Sequence, residues 1–198
     1  MKKEQLENLL FVVDMINGFC KNGALADRRI LEVVERQKEV IEAYLRDRNS
    51  DVIFIVDSHD KNASEFDSFP IHCLRGSIES EIIDELKPFT NGKLIIKKNS
   101  TSAIFAPGVL EVINKNRSLK RVEIIGCCTD ICISNFAIPL VSYFNQNNRK
   151  VDVVVDRDAV STYDSPNHNS EQYSEMAFKL MQQSGVVLVK KLGNGVNK

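Results

Sequence analysis

Residues 121–135 read RVEIIGCCTDICISN, and their reading decides the fold. A mostly apolar run at 122–125, broken by Glu123, ends in Gly126. Two cysteines follow, and Thr129, Asp130, Ile131 and Cys132 then open a stretch with apolar residues at helical spacing. The pattern predicts a strand, a tight turn and a helix. The same alternation continues in both directions. Apolar strand-like runs stand at 9–13, 52–56, 92–98, 150–158 and 186–190, and helix-like runs at 30–45, 77–89, 106–116, 130–146 and 168–185. The run at 77–89 is read as a helix from its Ser77 start and its i, i+4 apolar spacing. Pro107 falls near the first turn of its helix. Pro139 interrupts the 130–146 helix and predicts a kink there. Strand alternating with helix is the rhythm of an α/β fold. Strands that are apolar throughout need helices on both faces. The expectation is a three-layer α/β/α arrangement around a six-stranded, mainly parallel sheet, in one domain over residues 1–198.

The composition suits that fold and narrows the partners. A chain of 198 residues can bury a full core. With 26 basic and 27 acidic residues it exerts no net pull on nucleic acid, and no nucleic-acid partner is expected. The basic clusters at Arg46 and Arg48, at Arg117, Lys120 and Arg121, and at Arg149 and Lys150 each precede an apolar run, so they read as solvated helix ends. The N-terminus, MKKEQLENLLFVVDM, opens on the basic pair Lys2 and Lys3, but Asp14 interrupts its apolar run and no small-residue cleavage site follows. It reads as neither a signal peptide nor a membrane span, and a cytoplasmic protein with no membrane partner is expected. An odd count of five cysteines agrees with a reducing compartment. No glycine-rich dinucleotide fingerprint follows the first strand, and no phosphate-binding loop ends in Gly-Lys-Ser.

In open α/β sheets ligands bind beyond the carboxyl ends of the strands. The residues placed there are Asp14, Asp57 with His59, Lys97 or Lys98, the turn at 127–132, and Asp156 with Asp158. Cys128 and Cys132 lack the second pair that a zinc cluster needs. Their spacing, C-T-D-I-C, is not that of a Cys-x-x-Cys redox pair. Cys132 falls in the first turn of a helix, where unpaired N–H groups favour an anion and could also hold an oxyanion. A lowered thiol pKa is expected, with Thr129 or Asp130 capping the helix. The bland reading of all three cysteines is small buried hydrophobes. A nucleophilic Cys132 needs a base and a cation, and Asp14 and Lys98 are the candidates. The loop after the second strand offers His59 and His72 with Asp57, Glu65 and Asp67, a donor set that divalent ions accept.

These residues carry a resemblance. Asp14 in VVDMINGF, Lys98 in KNSTSA and Cys132 in GCCTDIC make the chain similar to the isochorismatase-like cysteine hydrolases, and within them to the nicotinamidases. The likeness runs over residues 9–189. It implies Asp14 as base, Lys98 as stabilising cation and Cys132 as nucleophile. Lys97 is the rival of Lys98, which the spacing to Ser102 favours. The resemblance also implies a cis Cys127–Cys128 peptide and an oxyanion hole from the backbone N–H groups of Cys128 and Cys132. In the loop it implies Asp57, His59, Glu65 and His72 as ligands, with Asp67 as rival to Glu65. They would hold one divalent metal ion, zinc first, with iron or manganese as alternatives. Phe19 and Phe69 would wall the substrate ring, with plain core as their bland reading. Thr101 stands where some nicotinamidases carry a tyrosine, which leaves the pocket more open. His168 receives no catalytic role. The activity implied is hydrolysis of nicotinamide, a small-molecule amide, to nicotinate through a thioester, as part of NAD salvage, in a homo-oligomer (dimer or tetramer). The alternatives are a related amide or carbamoyl hydrolase with another substrate, or a catalytically silent binding protein.

Overall fold

Six parallel strands form one sheet in a computed structural model, which describes residues 6–191. The basic pair Lys2 and Lys3 lies outside the described residues. The strands are β1 (Asn8–Val13), β2 (Ser50–Asp57), β3 (Leu94–Lys98), β4 (Arg121–Cys127), β5 (Asp152–Ser161) and β6 (Val187–Val189), in the order β3-β2-β1-β4-β5-β6. The helices are α1 (Asn17–Cys20), α2 (Val34–Arg46), α3 (Val109–Lys115), α4 (Ser134–Gln146) and α5 (Ser170–Gln183). Among the described residues no helix is long and apolar enough to cross a membrane.

Period-two alternation divides each strand between two cores. Leu9, Phe11 and Val13 of β1 join Phe136 and Leu140 of α4 and Phe178 of α5 on one face. Leu10 and Val12 join Val40 and Ile41 of α2 on the other. Burying each such side chain contributes about 1.5–3 kcal/mol, so the sheet is held from both sides. The sequence reverses direction of growth between β1 and β4, which are hydrogen-bonded neighbours. That switch point is where this strand order opens a crevice.

Two expectations change. The run at 77–89 is not a helix: it holds short 3₁₀ turns at Ile78–Ser80 and Lys87–Thr90 with a strap between them. Ile82 bridges Ile16, and the Ile83 N–H donates to the Met15 carbonyl at 3.0 Å. Docking Ile82, Ile83 and Leu86 onto the segment after β1 satisfies the same apolar spacing, so packing overrides local propensity. The fifth strand runs three residues past the 150–158 run, to Ser161. Asp156 therefore lies inside β5, fully buried, where Arg36 of α2 grips it at 2.7 Å, away from the strand end. Pro139 lies inside α4, which is continuous from Ser134 to Gln146. A proline frees the carbonyl four residues back, and the Ser102 hydroxyl donates to that Asn135 carbonyl at 2.5 Å. This bond ties the segment after β3 to α4.

Gly126 sets the contact between β1 and β4. Its φ is 127°, and a Cβ there would stand 2.0 Å from the Val13 carbonyl oxygen. Neither backbone can give way without separating the strand ends that carry Asp14 and the cysteine turn. Gly126→Ala is expected to cost roughly 2–4 kcal/mol, read from denaturant unfolding. A shift under about 0.5 kcal/mol would contradict this packing.

Candidate active site

Asp14 directly follows β1 in a left-handed conformation, φ 55°, which aspartate tolerates better than most residues. Its N–H donates to the Ile55 carbonyl at 2.9 Å, and its Oδ1 accepts from the Asp57 N–H at 2.9 Å. The Cys127 thiol donates to its carbonyl oxygen at 3.1 Å. Three neighbouring strands thus aim one carboxylate. Alternation along β3 turns Lys98 inward and leaves Lys97 exposed. The Lys98 ammonium stands 2.8 Å from Asp14 Oδ2, 2.5 Å from Asp57 Oδ1 and 3.7 Å from Cys132 Sγ. All four residues are buried.

A single ammonium shared by two buried carboxylates keeps both from being ordinary. Burial pushes Asp14 up to about 7, against the pull of Lys98 and with the help of the Asp57 charge. Burial acts on Asp57 too, but Lys98 and His59 hold its carboxyl below the usual range. Lys98 is raised well above its ordinary value, because the two carboxylates outweigh its burial. Asp57 therefore stays ionised, and Asp14 is the carboxylate poised to take a proton near neutrality.

The expectation of a lowered Cys132 thiol is overturned. Burial pushes it well above the ordinary value, Lys98 only partly offsets this, and the Asp14 and Asp57 charges add to the rise. The resting group is a thiol, so its proton must leave as the sulfur attacks. The helix start also differs. Thr129–Ile133 forms a π-helical turn ahead of α4, preceded by extended Cys128, and no side chain caps it. The Asp130 carboxylate accepts from the Thr162 hydroxyl at 2.6 Å and faces His168 Nε2 at 2.8 Å. The Cys127–Cys128 peptide is cis. All five cysteines are unbonded and buried.

Beside this group, Asp57, His59, Glu65 and His72 converge, with their donor atoms within 4.8 Å of one another. Asp67, the rival of Glu65, is exposed. His59 Nε2 stands 3.5 Å from Asp57 Oδ1 and 3.7 Å from Glu65 Oε1, and His72 Nε2 stands 3.9 Å from both Asp57 Oδ2 and Glu65 Oε1. These gaps are long for hydrogen bonds. They approach the roughly 3.3–3.6 Å edges of a tetrahedron whose centre lies 2.0–2.2 Å from each donor. Nδ1 of His59 faces Asn99 Oδ1 at 3.1 Å, and Nδ1 of His72 faces the Pro70 carbonyl at 2.8 Å. A hydrogen on each Nδ1 leaves each Nε2 lone pair for the shared centre, the arrangement metal-binding imidazoles adopt. His59 Nε2 is buried with no hydrogen-bond partner among the described residues. The donor set fits a divalent ion.

Both groups open on one cavity of about 420 Å³, which Phe19, Phe69, Thr101, Cys128 and Cys132 line. Phe19 and Phe69 also lie against the His72 ring, at 5.7 and 6.2 Å between centroids. Sequence reading missed Tyr163 and Ile131 on the cavity wall, and Asn99 behind His59. Asn99 follows Lys98 at a strand end, which is the signal that could have found it. Nothing in the spacing marks Tyr163, which the unforeseen length of β5 carries to the site.

The fold agrees with the comparisons. Residues 8–191 match the isochorismatase domain family, and the chain belongs to it. It is a hydrolase family of α/β fold. Nicotinamidase 1 of Arabidopsis thaliana is 29% identical over 180 residues, covering 80% of this chain and 71% of that protein. The zinc complex of Pyrococcus horikoshii pyrazinamidase superposes with a TM-score of 0.76 at 23% identity, covering 93% of this chain and 99% of that one. N-carbamoylsarcosine amidase from Thermoplasma acidophilum gives 0.75 at 24% identity, covering 98% and 100%.

Two outcomes are expected. Lys98→Met, which leaves two buried carboxylates unpaired, destabilises the fold by about 3–5 kcal/mol, and adding Asp14→Asn recovers part of the loss in denaturant unfolding. Zinc at a hundred times its Kd stabilises metal-free protein by about 2.7 kcal/mol in calorimetry, and His72→Ala removes the effect.

Proposed function

We propose that this chain is a nicotinamidase, hydrolysing nicotinamide to nicotinate and ammonia through a cysteine thioester, with the whole chain acting as one domain. The observation that supports this most is the shared cavity. Its wall carries Cys132, which stands 3.7 Å from the buried Lys98 ammonium that pairs with Asp14, together with Asp57, Glu65 and His72 of the two-histidine, two-carboxylate cluster. The similarity to Arabidopsis nicotinamidase 1 points the same way.

The chemistry starts at Cys132. As Sγ attacks the amide carbon, Asp14 takes the thiol proton, and the Lys98 ammonium 3.7 Å away steadies the charge growing on sulfur. The amide oxygen gains that charge and is held by the N–H groups of Cys128 and Cys132. The carbon–nitrogen bond then breaks, and Asp14 gives its proton to the departing nitrogen as ammonia leaves. Water attacks the thioester, Asp14 takes one of its protons, and the carbon–sulfur bond breaks. Asp14 returns that proton to sulfur, and nicotinic acid leaves, its remaining proton passing to the released ammonia in solution to give nicotinate and ammonium. A carboxyl raised to about 7 suits a group that both accepts and donates.

Asp57, His59, Glu65 and His72 would hold a divalent ion, zinc first, with iron or manganese as alternatives. Such an ion supplies an electrophilic anchor for a pyridine nitrogen. Phe19 and Phe69 flank the ring. In this role the enzyme feeds nicotinate to NAD salvage in the cytoplasm. A second reading, an amidase for a bulkier amide or a carbamoyl compound, is favoured by the small Thr101 on the cavity wall.

Ammonia release from nicotinamide, by protein carrying its metal, tests the proposal. Saturable release is expected, and Cys132→Ala should lower kcat at least about a thousandfold. Asp14→Asn should do the same while still binding nicotinamide. Folded, metal-loaded protein that leaves nicotinamide intact but cleaves a carbamoyl compound would establish the second reading instead.

A further inference from the structure

His168 takes no part in the chemistry above, yet its contacts join two sides of the cavity. It lies in the loop between β5 and α5, which Ser165 and His168 close through paired backbone hydrogen bonds of 2.9 and 3.0 Å. The same loop supplies Tyr163, Asp164 and Ser165 to the cavity wall. The imidazole is buried, 7% exposed, and sandwiched between two tyrosines. Tyr163 stacks on one face at 3.9 Å and 10°, and Tyr173 of α5 on the other at 3.8 Å and 30°. Nδ1 faces the Tyr163 carbonyl oxygen at 3.0 Å, and Nε2 faces Asp130 Oδ2 at 2.8 Å. The ring therefore bridges the Tyr163 carbonyl and the Asp130 carboxylate, one partner at each nitrogen. The other Asp130 oxygen accepts from the Thr162 hydroxyl.

Asp130 stands two residues before Cys132, inside the π-helical turn. Its carbonyl accepts from the Ser134 hydroxyl at 2.7 Å, so the carboxylate and the turn are held together. Tyr163 stands on the cavity wall with Cys132 and Cys128. We infer that His168 is a positioning residue that couples the Tyr163 wall of the cavity to the turn carrying Cys132. The inference rests on reading Cys132 as the nucleophile. Without the imidazole the Asp130 carboxylate keeps only the hydroxyl of Thr162, and the Tyr163 ring loses its stacking partner. The turn then loses a restraint just where a small displacement of a reacting atom is expensive.

Two variants separate the two contacts. His168→Phe keeps an aromatic ring between the tyrosines and removes both hydrogen bonds. His168→Ala removes both the ring and the bonds. With thermal unfolding confirming that each is folded, His168→Phe is expected to lower kcat for nicotinamide about tenfold and keep KM within about twofold. His168→Ala is expected to lower kcat similarly and also raise KM about tenfold, because the wall moves. A second readout needs no substrate: in His168→Ala, iodoacetamide should label the Cys132 peptide about fivefold faster than in the wild type, by mass spectrometry. Kinetic constants per folded site and labelling rates that match the wild type in both variants would overturn the inference. A wild type that releases no ammonia counts against nicotinamide as substrate, and the labelling comparison then decides the role of His168.

Discussion

The buried ammonium of Lys98, between Asp14 and Asp57, is the interaction on which the rest of the site depends. Removing charges from water costs several kcal/mol each, and they remain charged inside a protein only when paired closely. Lys98 meets that condition with two carboxylates at 2.8 and 2.5 Å. One belongs to the proposed acyl-transfer group and the other to the proposed metal site. The two halves of the site are therefore electrostatically a single unit. Because one cation serves two anions, one carboxyl must bear the deficit, and burial places it on Asp14.

That unit exists because of how the sheet is wound. Asp14, Asp57 and Lys98 come from the ends of β1, β2 and β3, and Cys132 from the turn after β4. The pairing registers set Val13 beside Ile55 and Gly126, and Asp57 beside Lys98. Strand ends at a common level bring residues far apart in sequence within contact. Gly126 permits the close approach of β1 and β4, and the Ser102 bond to α4 fixes the segment that follows Lys98. The scaffold thus supplies the alignment that the proposed chemistry requires.

Much of this was legible in the linear sequence. Continuous apolar runs identified six buried strands, since only helices on both faces can bury such runs. Carboxylates, lysine and cysteine just past those runs marked the site, since open parallel sheets bind ligands there. Local pattern misled where distant contacts compete with it. The spacing of Ile82, Ile83 and Leu86 suits a helix, but the same side chains pack as a strap against the segment after β1. Asp156 looks like a strand-end residue only because its charge interrupts the apolar run, whereas Arg36 makes it a buried link inside β5.

What the sequence determined by itself is the six strands, their parallel sense and the residue types that reach one edge of the sheet. These follow from hydrophobic periodicity and chain connectivity, which are local properties. The tertiary structure alone decided the state of each group. Whether Cys132 rests as thiol or thiolate, which carboxyl holds the raised pKa, and what Asp130 and His168 bind depend on burial and on charges brought from other strands. Those quantities vary with distances across the fold, and no spacing along the chain encodes them.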